Sequence, residues 1–284
     1  MDTTFNPTVS QYVRQSGSSF YYPMLMFPKD KRDAIMTVYA FCRYTDDMVD
    51  IVRANSDPFE FLEHWKKELQ NAFDGRSQLH FLNRLVHIAR TFSIPVELFF
   101  ELIRGVEMDL TKKRYKTFEE LYEYCYRVAS TVGLMTVSIL GKKNSRIESY
   151  AINTGIAVQL TNIIRDVASD IQKDRIYIPA QELEKFGCTE NDLLQKQVND
   201  AFLNLMRAQC DYAKTYYTKA DEDYAAEGSY FLFPARAMQN IYRQLLFKTE
   251  SNLNGLFHKK ITLSLPEKAS IVAKTWWNER QNPK

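Results

Sequence analysis

Two segments of the chain carry carboxylates and amides where a helix would normally carry its apolar face. Around RYTDDMVD (residues 43–50), Tyr39, Arg43, Asp46 and Asp50 follow one another at i, i+4, i+7 and i+11. On a helix advancing ~100° per residue they fall within a sector of roughly 60°. Asp46 and Asp50 stand four apart, a like-charge spacing that weakens a helix unless something neutralises it. A solvated face with Arg43 as countercharge would explain one such triplet. But QLTNIIRDVASD (residues 159–170) repeats the device, with Gln159, Asn162, Asp166 and Asp170 at i, i+3, i+7 and i+11. Two helices with inward carboxylates are costly to bury unless a positive charge lies between them. Oxygen donors without histidine or cysteine suit a hard divalent cation such as Mg²⁺, with Mn²⁺ as a substitute. Mg²⁺ takes one or two protein carboxylates and fills its other positions with water and phosphate oxygens.

The elements that must position these residues read as helices nearly throughout. Nine glycines and nine prolines punctuate 284 residues, and the segments between them show apolar residues at three- and four-residue spacing. The spacing predicts a first long helix after Pro28 running through DAIMTVYAFCRYTDDMVDIV. Further helices are expected over 58–73, 78–92, 95–110, 118–140, 146–171, 189–225 and 234–257. No Gly-, Pro- or Ser-rich linker and no internal repeat divides the chain, so one all-α domain over 1–284 is the expectation.

Composition excludes several function classes. With 37 basic and 35 acidic residues, net charge +2, the chain lacks the positive field of a nucleic-acid binder. Cys42, Cys125, Cys188 and Cys210 have no paired spacing, which argues against a zinc site or a disulfide framework and for reduced thiols in the cytoplasm. The start MDTTFNPTVSQYVRQ is not a secretory signal, and no apolar run is long enough to span a bilayer. A soluble or membrane-peripheral protein is expected.

The segments DDMVD (46–50) and NIIRDVASD (162–170) resemble the signatures of the squalene and phytoene synthase family of head-to-head prenyltransferases. SSFYYP, YAFCR, YCYRVASTVG and DRIYIP also resemble family segments, in the family's order. The resemblance implies an isoprenoid-synthase helical bundle with a central cavity, in which two prenyl diphosphates condense through a cyclopropyl diphosphate. It implies several Mg²⁺ ions held by Asp46, Asp50, Asn162, Asp166 and Asp170, and diphosphate contacts from Arg43, Arg165, Tyr177 and Ser19. Gln159 and Tyr126 would line the pocket, Tyr126 among the catalytic residues, with Phe20, Tyr39 and Tyr242 as walls around an allylic cation. Core packing and pairing with neighbouring aspartates are the ordinary alternatives for the aromatics and arginines. Gly133 would let a helix bend, let a tail pass, or let two helices touch. Lys259 and Lys260 stand where many members carry an arginine pair.

Among members, the compact chain looks closest to bacterial dehydrosqualene synthases. The expected substrate is farnesyl diphosphate, the product a C30 hydrocarbon of carotenoid biosynthesis, formed without NADPH. Phytoene from two C20 diphosphates, and squalene, are the alternatives. Pocket depth would be set by side chains such as Met24 and Met36. A terpene cyclase fits less well, since its second motif wants Asn, Ser or Thr, and Glu at spacing four, where Arg165, Ser169 and Lys173 stand. A non-catalytic helical scaffold would leave both acidic segments on the surface. No obligate protein partner is inferred. Trp276 and Trp277 beside lysine could touch a membrane during product release, or belong to a docked terminal helix.

Overall fold

The computed structural model describes residues 8–16, 21–52, 57–141, 144–227 and 232–281, with the backbone alone at 50–52. The described chain is all-α: α1 (Val9–Gln15), α2 (Tyr21–Met24), α3 (Lys29–Val52), α4 (Pro58–Phe73), α5 (His80–Thr91), α6 (Val96–Thr111) and α7 (Phe118–Cys125). A π-helical turn (Tyr126–Ser130) leads into α8 (Thr131–Leu140), followed by α9 (Ser145–Gln172), α10 (Ala180–Lys185), α11 (Glu190–Leu194), α12 (Asp200–Glu227), α13 (Phe233–Glu250) and α14 (Leu265–Gln281). Side chains set several boundaries: Asp57, Thr117 and Asn144 cap the N-termini of α4, α7 and α9, and Gly141, at φ 91°, closes α8 in the left-handed region.

Helix α9 is the axis of the molecule. Helix α8 and the π turn before it pack antiparallel against it, Gly133 opposite Ala151 and Ser130 opposite Gly155, so closely that a Cβ on Gly133 would lie 2.7 Å from the Ala151 carbonyl oxygen. Gly133 therefore serves a helix contact. Helix α12 also runs antiparallel to α9, tied by Ser149 Oγ donating to Asp223 Oδ2 (2.7 Å) and by the Thr161 and Tyr217 hydroxyls (3.0 Å). One apolar cluster gathers α3 to α6, where Phe41, Tyr44 and Phe61 surround Trp65 and Phe99 packs on Phe41; a second gathers α7, α9, α12 and α13. The one β feature among the described residues is an isolated parallel bridge between Arg114 and Ile176. It clips the chain after α9 onto the chain after α6.

Three expected helices are interrupted. Helix 189–225 breaks at 195–199, where Lys196 takes φ 54° and Asn199 Oδ1 accepts from the Phe202 N–H at 2.9 Å to restart α12. Helix 118–140 contains the π turn, and helix 234–257 ends at Glu250 before a 3₁₀ turn at Leu253–Gly255. Helix α14 docks on α13, with Thr275 buried and accepting from Asn240 Nδ2 at 2.9 Å, while Trp277 stays exposed. Among the described residues no helix is long and apolar enough to cross a membrane.

Candidate active site

A cavity of about 610 Å³ runs between α2, α3, α6, α8, α9 and α13. Helices α3 and α9 both deliver their acidic ends to one end of it: Arg43, Asp46 and Asp47 from α3, Asn162, Asp166 and Asp170 from α9. The rest of the chamber is mainly apolar, with Val38, Val132, Val158 and Met238 along its walls. The stripes that line it, 35, 38, 39, 42, 43, 46 on α3 and 151, 154, 155, 158, 159, 162 on α9, keep helical spacing while switching from apolar to polar along each helix.

At the acidic end the charges are already engaged. Arg43 Nη2 pairs with Asp47 Oδ1 at 2.7 Å and its Nη1 donates to Asp46 Oδ2 at 3.2 Å. Tyr12, on α1, donates its hydroxyl to Asp47 Oδ2 at 2.9 Å. Asp46 is exposed. Asp47 is thus the carboxylate that orients Arg43, a role its sequence position did not reveal. On α9, Arg165 chelates Asp166 through Nε (2.8 Å) and Nη2, and Lys260 Nζ reaches Asp166 Oδ1 at 3.2 Å. Burial pushes Asp166 up, but Arg165 and Lys260 outweigh it and hold the carboxyl below its ordinary value. Asp170 goes the other way: burial, then the charges of Asp166 and Asp109, raise it to about 7 despite Arg175 and Lys173. Gln159 accepts from Asn162 Nδ2 at 3.4 Å.

Beside this end lies a buried polar group that sequence reasoning missed. Asp109 of α6 accepts from the Tyr177 hydroxyl at 2.6 Å and the Tyr124 hydroxyl at 3.2 Å, with Arg175 Nη1 at 3.9 Å. The Tyr115 ring packs on both tyrosines. Burial, reinforced by the Asp109 charge, drives both phenols well above their usual titration range. A signal was available: in α6 Asp109 continues the buried stripe of Leu102 and Val106 at i+7 and i+3.

The expected residues sort as follows. Tyr39, Arg43, Asp46, Gln159, Asn162, Arg165, Asp166, Asp170 and Tyr177 all line the cavity. Tyr242 is buried outside the lining, near enough to Arg165, Tyr39 and Asp166 for their charges to act on it. Tyr126 must be corrected. It is half-buried and outside the lining, and Tyr124 takes the cavity position. The two sit about 200° apart around a helix, so only one can face inward, and Tyr124 shares its face with Val128 and Val132. Met24 lines the chamber, but Met36 points to a different hollow beside Val9 and Arg84. Ser19 and Phe20 lie outside the described residues, as does the side chain of Asp50.

The acidic end fits a hard cation. Asn162 Oδ1 is buried without a hydrogen-bond partner, and the Asp170 carboxyl is raised to about 7, first by burial and then by its negative neighbours, a shift that a cation would oppose. Among the described residues no three Asp, Glu, His or Cys side chains converge on one point. The Asn162 amide and the Asp170 carboxyl are oxygen donors of the kind that suits a hard ion, which completes its shell with water and phosphate oxygens.

Residues 13–267 match the family model for squalene/phytoene synthase. The chain belongs to the squalene/phytoene synthase family. It is 35% identical over 278 residues to a 15-cis-phytoene synthase of Synechocystis sp., covering 94% of this chain and 82% of that one. It is 37% identical over 263 residues to a phytoene synthase of Arthrospira platensis, covering 88% and 85%. A dehydrosqualene synthase crystal structure superposes with TM-score 0.85 at 26% identity over 96% of each chain. A squalene synthase from Alicyclobacillus acidocaldarius gives TM-score 0.75 at 25% identity over 97% and 94%. The fold is therefore the helical isoprenoid-synthase fold, and the chain is a prenyltransferase of the head-to-head condensing family.

Proposed function

We propose that this family member joins two farnesyl diphosphates through a cyclopropyl diphosphate into dehydrosqualene, without NADPH, the whole chain from 1 to 284 acting as one domain. The observation that carries the reading is the convergence of two acidic helix ends on one end of a long apolar cavity. Asp46, Asp50, Asn162, Asp166 and Asp170 would hold Mg²⁺ ions, which, when bound, offset the negative charge that develops on a departing diphosphate. Arg43 and Arg165 are pre-oriented by Asp47 and Asp166, and each guanidinium keeps further N–H donors for diphosphate oxygens. Lys260 adds a third cation at the same point. The apolar lining of the chamber beyond would keep water from the allylic cation that ionisation leaves, with aromatic side chains, Tyr39 among them, as unreactive walls.

A second reading, two geranylgeranyl diphosphates giving phytoene, is favoured by the sequence likeness to proteins named phytoene synthases. Incubation of purified protein with each diphosphate and Mg²⁺, with and without NADPH, followed by mass and ultraviolet analysis, separates the readings. A C30 conjugated triene indifferent to NADPH supports the first. A C40 product from the longer diphosphate alone moves the assignment to the second, and squalene formed only with NADPH to the reductive branch. Asp46→Asn and Asp166→Asn are expected to lose most turnover with unchanged circular dichroism; near-full activity in either would remove that residue from the ligand set.

A further inference from the structure

The end of the cavity opposite the carboxylates carries a large side chain that no family motif singles out. On α9 the lining stripe continues from Asn162 through Val158 and Thr154 to Tyr150, which is 1% exposed. The Tyr150 ring lies against Tyr224 of α12, centroids 5.5 Å apart at 50°. Behind it the Arg236 guanidinium of α13 stands 4.6 Å from the Tyr224 centroid, held by Asp221 and by Gln239 Oε1 at 2.9 Å. Five residues further along, α9 touches the π turn: a Cβ on Gly155 would lie 2.5 Å from Ser130 Cα.

A hydrogen bond is not the main contribution of Tyr150: its buried hydroxyl has only the neighbouring Thr154 hydroxyl, one turn along α9, to interact with, and the two are not in good hydrogen-bond geometry. What the side chain contributes is bulk at a fixed depth. From Asn162 to Tyr150 is twelve residues of α9, about 18 Å of helix axis. Each isoprene unit adds four carbon–carbon bonds, about 5 Å when extended at ~1.5 Å per bond. A tail of three units fits that length, and a fourth reaches the ring.

Resting on the reading that the cavity holds prenyl diphosphates, we propose that Tyr150, backed by Tyr224 and Arg236, is the floor that limits the tail length the cavity accepts. The test compares wild type with Tyr150→Ala, Tyr150→Leu and Tyr150→Phe on farnesyl, geranylgeranyl and geranylfarnesyl diphosphates. The readout is the ratio of kcat/KM for longer over shorter substrate. Binding of the corresponding non-ionising thiolodiphosphates gives the same ratio without turnover. Tyr150→Ala is expected to raise the ratio roughly tenfold or more, Tyr150→Leu to move it part of the way, and Tyr150→Phe to leave it unchanged. Should Tyr150→Ala fail to fold, Tyr150→Leu carries the comparison. An unchanged ratio in a folded Ala or Leu variant overturns the floor, and so does an equal shift in Tyr150→Phe, which would assign the effect to the hydroxyl. A shifted binding ratio without any condensation product keeps the floor and removes the proposed reaction; condensation with an unshifted ratio does the reverse.

Discussion

Asp109 and Asp170 are two carboxyls in one cavity with opposite fates, and their surroundings decide the difference. Asp109 is satisfied by two phenols and faces Arg175, so removing it orphans buried partners. Asp109→Ala is expected to cost about 3–5 kcal/mol in urea denaturation, as breaking buried ionic contacts typically does. Asp109→Asn should cost about 1–3 kcal/mol, because an amide keeps one acceptor oxygen for two donors. Equal, near-zero losses in both would show that the group is not holding the phenols. Asp170 instead accumulates negative neighbours. In the metal-free fold its proton is retained up to about 7, whereas an unfolded aspartate releases it near the ordinary 3.8. Between those values the native state binds more protons than the unfolded state, so this contribution is full at low pH and is lost as pH rises through about 7. The melting temperature measured in chelator should therefore fall across that window, and Asp170→Asn should flatten the fall. A profile identical to wild type would show that Asp170 is not the titrating group.

At the scale of elements, the site depends on how closely the π turn and α8 approach α9. Gly155 allows the approach of the π turn, whereas a Cβ on Gly255 would meet open space. Gly155→Ala must displace the backbone of Ser130 and is expected to destabilise by about 1–3 kcal/mol, with Gly255→Ala close to neutral as its control. Equal melting temperatures for the two would mean that the π turn yields freely. Helix α1 is tied to the acidic end through the Tyr12 to Asp47 hydrogen bond, which couples the start of the chain to the orientation of Arg43. The π turn at Tyr126–Ser130 sits where the lining helix passes the narrowest contact with α9.

For the whole molecule, stability and ligand binding are linked through the acidic end. Asp170, raised by burial and by its negative neighbours, is a cost that a bound cation relieves. Mg²⁺ with inorganic diphosphate should raise the melting temperature by mass action, about 2.7 kcal/mol at a hundredfold excess over Kd. Asp166→Asn should remove most of that rise. A rise of equal size in the variant would place the anion elsewhere. Exposed ion pairs such as Lys113 with Asp174 and Arg114 with Glu190 contribute little by comparison, since solvent screens them.

The sequence by itself determined the helical class, the two acidic segments and their family, because helical periodicity and the cost of inward carboxylates are written in residue order. It did not determine the partners of those segments. Asp109 comes from α6, Tyr124 from α7, Arg175 and Tyr177 from the chain after α9, and Lys260 from beyond α13. Only the packing of α6, α7 and α9 brings them to one cavity end. The same limit explains the exchange of Tyr126 for Tyr124: alternate residues of YCYRVAS look equally eligible in sequence, and the face that turns inward is set by the contact with α9. Tyr150 repeats the lesson at the other end. A tyrosine in an apolar helix reads as core, and its place as the cavity's floor follows from where α12 and α13 put Tyr224 and Arg236 behind it.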